Sequence, residues 1–362
     1  MKKTLYFVLV MLMSIMFISC KANDKIKELN ENQEDKFNSK IATQTVKNYL
    51  EAISKGDINT VKRLSVESMW DKSLEFISSD INICGYNIED SNELKDSLLV
   101  KAKVSRVSNK DSRANLDSYS IKVIKEDAEE YKISDINVTT EKEAFYEDEE
   151  IRIRNKDNVK TNLLIDKSGI PQYGFSKNDK GSMMKISIPK TNFGVIAFSF
   201  SGDRIAVSTY DKDSFVAIIK LDESLMVQGG SSSEETGGAN GGSKGSSRVK
   251  VRETPVGKEI TSLDILKDTM IKNLCFSLDE KYFMTQYEVK DKGMGVRVYD
   301  VDKGNLLNID LEKEFPIEEF NVTFYSFDKD GMIFDVSAKE GKDREKQGRW
   351  KIELKDMKLT KM

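Results

Sequence analysis

The 362-residue chain contains no histidine at all. Histidine supplies the general base of Ser-His and Cys-His nucleophile pairs, and it is a ligand in mixed Cys/His zinc sites. None of these sites can therefore be built from this chain. Any hydrolytic chemistry would have to rest on Asp or Glu, as it does in the carboxylate pairs that hydrolyse glycosides.

Cysteine is scarce as well, and the three cysteines are Cys20, Cys84 and Cys275. Cys84 stands in Ile-Asn-Ile-Cys-Gly and Cys275 in Leu-Cys-Phe, and both apolar contexts are typical of core positions. Two lone cysteines far apart in sequence lack the framework spacing of a disulfide-rich domain. We expect both to be buried. The sequence leaves open whether they are free thiols or form a disulfide.

There is no excess of charge of one sign. The chain has 57 Lys and Arg residues against 61 Asp and Glu residues, which gives a net charge of −4. No basic patch is indicated, so nucleic acid is not an expected partner. The length is sufficient for two ordinary cores, and we expect two domains.

Long hydrophobic runs are also lacking, except at residues 5–18. That run is interrupted only by Ser14, follows Lys2 and Lys3, and is too short to span a bilayer comfortably. It has the layout of a secretory signal, which we predict to cover residues 1–19. The polar residues that follow, up to residue 40, are too poor in apolar side chains to form a buried stripe, and they predict a flexible tether.

The predicted signal ends in Phe17, Ile18, Ser19 and Cys20, which resembles the lipobox of bacterial lipoproteins. The resemblance implies that Cys20 receives a diacylglyceryl thioether and becomes the mature N-terminus. The protein would then be anchored in the cell membrane, on its extracytoplasmic face, by two acyl chains. The abundance of Lys, Asn and Ile is similar to that of Gram-positive, clostridial-type proteins. The alternative is a secretory signal cut elsewhere, with Cys20 incidental.

Residues 41–145 change from helical to alternating periodicity. Val46, Tyr49, Leu50 and Ile53 follow helical spacing, and a Gly-Asp pair at residues 56–57 predicts a break followed by a second helix. Residues 98–107, 119–124 and 131–138 alternate as antiparallel strands with one buried face do. The segment therefore predicts an α+β domain with helices that cover a curved sheet.

The stretch YLEAISKGDINTVKRL resembles the opening of nuclear-transport-factor-2-like domains, in which helices and a curved antiparallel sheet form a cone. Some members of that superfamily are enzymes with an acid inside the cone, and many only bind ligands. The candidate acids here are Asp71, Asp80 and Asp135, although surface charge explains all three as well.

Residues 150–362 contain a self-similar unit, and its four copies start near residues 163, 198, 276 and 325. Each copy is an apolar strand, a turn rich in Asp, Gly, Ser and Lys, and a second apolar strand, followed by a third. The units resemble the blades of TolB-type and WD-like propellers. Since the turn proline is missing and such propellers usually close with six to eight blades, we expect a small or incomplete all-β, propeller-like domain. A β-sandwich is the alternative.

No cofactor or metal motif is found in this part. Residues 229–248 are rich in Gly and Ser, but they lack the flanking strand, helix and Gly-Lys-Ser/Thr ending of a phosphate loop, so a flexible loop is predicted. Asp328, Asp330 and Asp335 do not have the spacing of a calcium loop.

These observations together favour a cell-envelope lipoprotein that acts as a binding or scaffold module for a protein or cell-wall partner. With no catalytic constellation in the sequence, the prediction is that the chain is not an enzyme and that it has no catalytic residues. Two alternatives remain open: a carboxylate-based envelope hydrolase, and a sensor that binds a small ligand in the cone.

Overall fold

The computed structural model describes residues 37–127, 130–156, 158–177, 185–222, 224–225, 253–309, 311–342 and 344–362. Antiparallel sheets form most of it, and helices cover one face of the first sheet. The predicted signal, tether and anchor cysteine Cys20 lie outside the described residues, as does the Gly/Ser-rich loop at 229–248. In the described part of the chain, no helix is long and apolar enough to cross a membrane.

The helices begin and end where the local sequence demands. The first helix, α1 (Ser39–Lys55), starts at Asn38, whose side chain accepts hydrogen bonds from two backbone amides of the first turn, and it ends at Gly56 with φ of 69°. The Asp57 side chain then caps α2 (Ile58–Arg63). The predicted Gly-Asp break is thus confirmed. A short 3-10 turn (Glu67–Met69) leads into α3 (Trp70–Ser78).

The first sheet is a six-stranded antiparallel meander whose strands pair in chain order. Its strands are β1 (Ile81–Leu94), β2 (Ser97–Ser108), β3 (Arg113–Lys125), β4 (Tyr131–Glu147), β5 (Glu150–Asn155) and β6 (Asn162–Asp166). Residues 148–149, which lie at the expected boundary between the two domains, form the tight turn of the β4–β5 hairpin. The division of the chain into domains stays a prediction, but this sheet continues past the expected boundary.

The buried face of this sheet changes along its strands: one face is buried at one end of the strands, and the opposite face is buried at the other end. Leu98, Val100 and Tyr119 pack beneath the helices, whereas Leu116 and Val107 belong to cores shared with the sheets that follow. Register shifts between Ile83 and Gly85 and at Leu116/Asp117 lie where the buried face changes. Bulges of this kind increase the twist of a strand pair, which allows one sheet to face two partners.

Three further antiparallel meanders follow the first sheet. Their strands are β9 (Asn192–Phe198), β10 (Arg204–Tyr210), β11 (Ser214–Leu221) and β12 (Gly257–Leu266); β13 (Thr269–Phe276), β14 (Tyr282–Val289) and β15 (Gly293–Asp300); and β16 (Phe320–Phe327), β17 (Gly331–Ala338), β18 (Gly348–Glu353) and β19 (Lys358–Lys361). The two-residue strands β7 (Tyr173–Gly174) and β8 (Ile186–Ser187) precede β9, and the short helix α4 (Leu311–Glu314) lies between β15 and β16. Consecutive sheets of this kind give the second half its propeller-like, all-β character.

Three of the four predicted copies of the repeat are confirmed as sheets, and the first is wrong. The strand of the first copy is β6, which pairs with β5 in the helix-covered sheet and therefore forms no sheet of its own. Two of the confirmed copies share turn chemistry: the Ser199 hydroxyl accepts from the Arg204 amide at 3.1 Å, and the Ser277 hydroxyl accepts from the Tyr282 amide at 3.0 Å. In the last copy, the Asp328 carboxylate accepts from the Gly331 amide at 2.7 Å instead. Buried serines at equivalent turns thus account for the similarity of the first two of these copies.

A polar clamp joins α1 to the last sheet. Glu51 accepts hydrogen bonds from the hydroxyls of Tyr86 and Tyr325, each at 3.1 Å. The ammonium group of Lys55 donates to the Phe324 carbonyl at 3.1 Å and lies 4.8 Å from the centre of the Tyr325 ring. Burial lowers the pKa of Lys55. The helices are therefore attached to the repeat sheets as well as to their own sheet.

The turn glycine of the last repeat gives a test of the fold. A Cβ at Gly331 would collide with the backbone carbonyl of Ile352 on β18, and backbone cannot yield as a flexible side chain does. We expect Gly331→Ala to lower the free energy of unfolding by about 2–4 kcal/mol, measured by urea denaturation. Gly341→Ala is the comparison variant: an added Cβ there meets nothing within 4 Å, so only the strain of a φ of 75°, about 1 kcal/mol, is expected. Equal stability of the two variants would contradict the β17–β18 register.

Candidate functional site

The three acids proposed from the sequence are all exposed at the surface. Asp71 is in the first turn of α3, Asp80 forms an exposed ion pair with Lys110, and Asp135 is exposed on β4. The hydrogen bond from Lys110 lowers the pKa of Asp80, so this carboxylate is ionised. None of the three enters the space between the helices and the sheet, which leaves them as surface charge.

Aromatic side chains fill the space between the helices and the first sheet. The hydroxyl groups of Tyr49 and Ser73 lie 2.6 Å apart, and the Phe76 and Tyr119 rings pack with centroids 5.9 Å apart. Burial raises the pKa of Tyr49 to about 12, so its hydroxyl stays protonated. The alternative of a ligand-binding cone gains no support from this packing.

A groove of about 370 Å³ lies where the first sheet meets the repeat sheets. We call it the junction groove. Its lining is formed by residues 108–113, 145–146, 192–195 and 270–271, together with Ser208, Tyr210 and Ser214. Ligand sites favour such junctions, where two packed units leave a concavity between them.

Arg113 carries the unsatisfied polar group of the junction groove. Its Nε is buried and makes no hydrogen bond to any described residue. The carboxylate of Asp111 is 3.6 Å away, which is close enough for charge attraction but too far for a hydrogen bond. A buried donor without a partner is costly, so this guanidinium is suited to an incoming carboxylate.

Two large apolar side chains of the junction groove are exposed. Tyr146 and Met270 are 46% and 48% exposed, and the Tyr146 ring lies 6.0 Å from that of Phe193. On the floor, Ser208 and Ser214 donate their hydroxyls to backbone carbonyls and are thereby fixed. The groove thus offers two cationic side chains beside exposed apolar ones: Arg113, and Lys110, which is paired with Asp80.

Two edge strands border the junction groove. β9 and β13 are the terminal strands of their sheets, and residues of both line the groove. An edge strand has one row of backbone groups outside its own sheet, and such a row can pair with an added extended chain.

A second polar cluster is buried around Arg297, whose guanidinium donates to Asp264 at 2.7 Å and to Glu312 at 2.8 Å. Asp264 also accepts from the Tyr299 hydroxyl at 2.8 Å and from the Lys177 amide at 2.8 Å. Its acceptor capacity is thus largely used within the protein. Glu312 is 40% exposed and faces a cavity of about 730 Å³, so it is the accessible carboxylate of the cluster.

Sequence reasoning missed both of these sites because each combines residues from separate elements. Arg113, Tyr146 and Met270 come from three strands, and no local motif connects them. Cys84 and Cys275 are buried, as expected, and both are free thiols. That they lie against each other was not expected, since they are far apart in sequence. No group of three or more Cys, Asp or Glu residues in the described chain could hold a metal ion.

No known protein family matches the chain, and no curated protein resembles it in sequence. Among solved structures it resembles the acylaminoacyl peptidase of Pyrococcus horikoshii, with 10% identity over 76% of this chain and 32% of that one, at a TM-score of 0.28. It also resembles a dipeptidyl aminopeptidase IV homologue from Bacteroides ovatus, with 13% identity over 78% and 29%, at 0.24. A third is a puromycin hydrolase, with 7% identity over 76% and 46%, at 0.30.

These matches contradict the prediction that the chain is not an enzyme, because all three carry the names of peptidases or a hydrolase. We therefore do not retain it. The chain spans less than half the length of each of these proteins. At such low TM-scores the likeness assigns none of their activities to this chain.

The buried cluster gives the second test. Asp264→Asn removes the fully buried carboxylate of the cluster and leaves Arg297 with only the partly exposed Glu312 as an ionic partner, and breaking a buried ion pair is strongly destabilising. We expect the free energy of unfolding to fall by about 3 kcal/mol, measured by urea denaturation. The control is Asp302→Asn, because Asp302 is 76% exposed and pairs with Arg204 at 3.3 Å, and we expect no measurable change there. An unchanged free energy of unfolding in Asp264→Asn would show that the cluster does not stabilise the fold.

Proposed function

We propose that the protein is a membrane-anchored, extracytoplasmic binding protein whose junction groove takes an extended peptide that carries a carboxylate. The observation that carries the proposal is the Arg113 guanidinium, which lines the groove on a side chain that is 36% exposed and whose Nε has no hydrogen-bond partner among the described residues. A carboxylate bound in the groove would form a charge-assisted hydrogen bond with this guanidinium.

Peptide backbone fits the rest of the groove. An extended segment can add to the edge of β9 or β13, where main-chain hydrogen bonds give affinity without requiring one sequence. Alternate side chains of such a segment point to opposite sides. One set would lie against Tyr146 and Met270, and the acidic residue would face Arg113.

The partner class follows from the same chemistry together with the lipoprotein resemblance. If Cys20 holds the chain on the outer face of the membrane, the accessible peptides are those of other envelope proteins and those of the cell wall. Both carry carboxylates, and both are extended where they are not folded. The lipid on Cys20 and the partner are parts of this proposal.

The groove is tested with a fluorescently labelled peptide that alternates Leu and Glu, titrated with the full chain by fluorescence anisotropy. We expect binding that weakens roughly tenfold or more in Arg113→Gln, since a hydrogen bond to a charged group is lost. A peptide with Gln in place of Glu should bind the unaltered protein about as weakly. A cell-wall stem peptide in a parallel titration distinguishes the two sources of ligand.

The control variant is Arg63→Gln, because Arg63 is exposed on α2 and does not line the groove. It should bind as the unaltered protein does. Equal affinity of Arg113→Gln, or no binding of either peptide, would overturn the proposal. Cleavage of the peptide during the titration, detected by mass spectrometry, would show that the protein hydrolyses the peptide and does not only bind it.

The anchor is tested separately. We expect Cys20→Ala to abolish labelling by a fatty-acid analogue in cells and to move the protein from the membrane fraction to the soluble fraction, because the thioether is the proposed attachment. Ser19→Ala keeps a small residue before the cysteine and should remain labelled. A Cys20→Ala protein that still labels and sediments would show that the lipobox interpretation is wrong.

A further inference from the structure

Two thiols from distant parts of the chain meet in the interior. Cys84 lies on β1 at the register shift between Ile83 and Gly85, and Cys275 lies near the end of β13. Both are buried, and the Cys275 side chain is hydrogen-bonded to that of Cys84. The contact therefore joins the helix-covered sheet to the second of the repeat sheets.

Gly85 makes room for this contact. A Cβ at residue 85 would lie 2.6 Å from the Cys275 Sγ and 3.3 Å from the Phe200 ring. Only glycine leaves the second thiol space to approach β1 so closely. The sequence signal was thus the Cys-Gly pair at residues 84–85, which by itself does not reveal a partner.

The immediate surroundings keep the two sulfurs in place. The Cys84 Sγ donates to the Ser105 carbonyl at 3.2 Å, and the Cys275 Sγ lies 3.4 Å from the Phe276 carbonyl oxygen. The two residues line a cavity of about 20 Å³ together with Glu51, Tyr86 and Tyr325 of the clamp. A space of that size holds about one water molecule, so no large oxidant enters the folded protein.

The two thiols differ in acidity. The hydrogen bond from Cys275 lowers the pKa of Cys84, whereas burial and the neighbouring Cys84 raise the pKa of Cys275. Cys84 is therefore the more acidic of the two thiols while they are in contact.

We propose that Cys84 and Cys275 form a modification site in which a disulfide joins β1 to β13 when the protein meets a disulfide oxidant. The Cys84 thiolate attacks a sulfur of the oxidant, forms a mixed disulfide and releases one thiolate. The Cys275 thiol then loses its proton and attacks the Cys84 sulfur, which expels the second thiol. The two protein thiols together lose two electrons, and the disulfide of the oxidant gains them and is reduced to two thiols.

The timing follows from burial. Because the cavity excludes the oxidant, exchange occurs while the chain folds or when the two sheets separate locally. Once formed, the bond closes a loop between strands far apart in sequence, and such loops constrain the unfolded chain most. This inference does not rest on the proposed binding function.

The experiment uses the full chain with Cys20→Ser, so that only the two buried thiols remain. The protein is refolded in a mixture of reduced and oxidised glutathione, alkylated under denaturing conditions and digested. We expect mass spectrometry to find the two cysteine peptides joined, with the melting temperature about 5 °C or more above that of the reduced protein. In Cys84→Ser and Cys275→Ser, the glutathione mixture should not change the melting temperature.

Two results would overturn the inference. One is full alkylation of both cysteines after refolding in oxidised glutathione, which would show that the pair does not react. The other is a redox-dependent rise in melting temperature that persists in Cys84→Ser, which would place its cause elsewhere. If Cys84→Ser does not fold, Cys84→Ala provides the same comparison without the added hydroxyl.

Discussion

The fold depends on one sheet that buries opposite faces at its two ends. Leu98 and Tyr119 pack under the helices, while Leu116 and Val107 pack with the repeat sheets. Successive side chains along a strand point to opposite faces of the sheet, so a flat sheet would leave half of these side chains in water. Twist and the bulges at Ile83/Gly85 and Leu116/Asp117 remove that problem. The helices and the repeat sheets therefore pack against opposite faces of the same sheet.

Polar contacts reinforce this arrangement where the two coverings meet. Glu51 of α1 reaches Tyr325 on β16, and the Ser105 hydroxyl on β2 donates to the Phe198 carbonyl at 3.1 Å. The guanidinium of Arg349 lies 3.5 Å from the centre of the Tyr325 ring. The ammonium group of Lys55, which is far from Arg349 in sequence, contacts the same ring. Cation–π contacts on one tyrosine from distant segments favour a single relative position of helix and sheet. The junction groove and the thiol pair both lie where the first sheet meets the repeat sheets, so the relative position of these sheets determines the geometry of both.

The elements were predictable from the sequence, and their assembly was not. Helical spacing and the Gly-Asp pair located α1 and α2, and three repeat copies located their sheets, because those signals are local. The first repeat copy misled since β6 has the same alternation as a blade strand, and only its pairing with β5 shows where it belongs. The predicted acids were surface residues, while Arg113 became noticeable only once its neighbours left its Nε without a partner. Likewise, nothing near Cys84 in sequence indicates Cys275. Contacts between distant segments carry no local signature, so single-sequence reasoning cannot find them.

The shared sheet also has a consequence for the order in which the chain is synthesised. The core beneath the helices is complete once Ile136 has emerged, but the core that includes Leu116 also needs Ile265, and the core that includes Cys84 also needs Leu354. Until then, one face of an otherwise finished sheet exposes apolar side chains. A nascent chain in that state is exposed to aggregation. Folding of the first sheet before the last strands are made would therefore leave this apolar face exposed, and the fold is complete only when the whole chain is available.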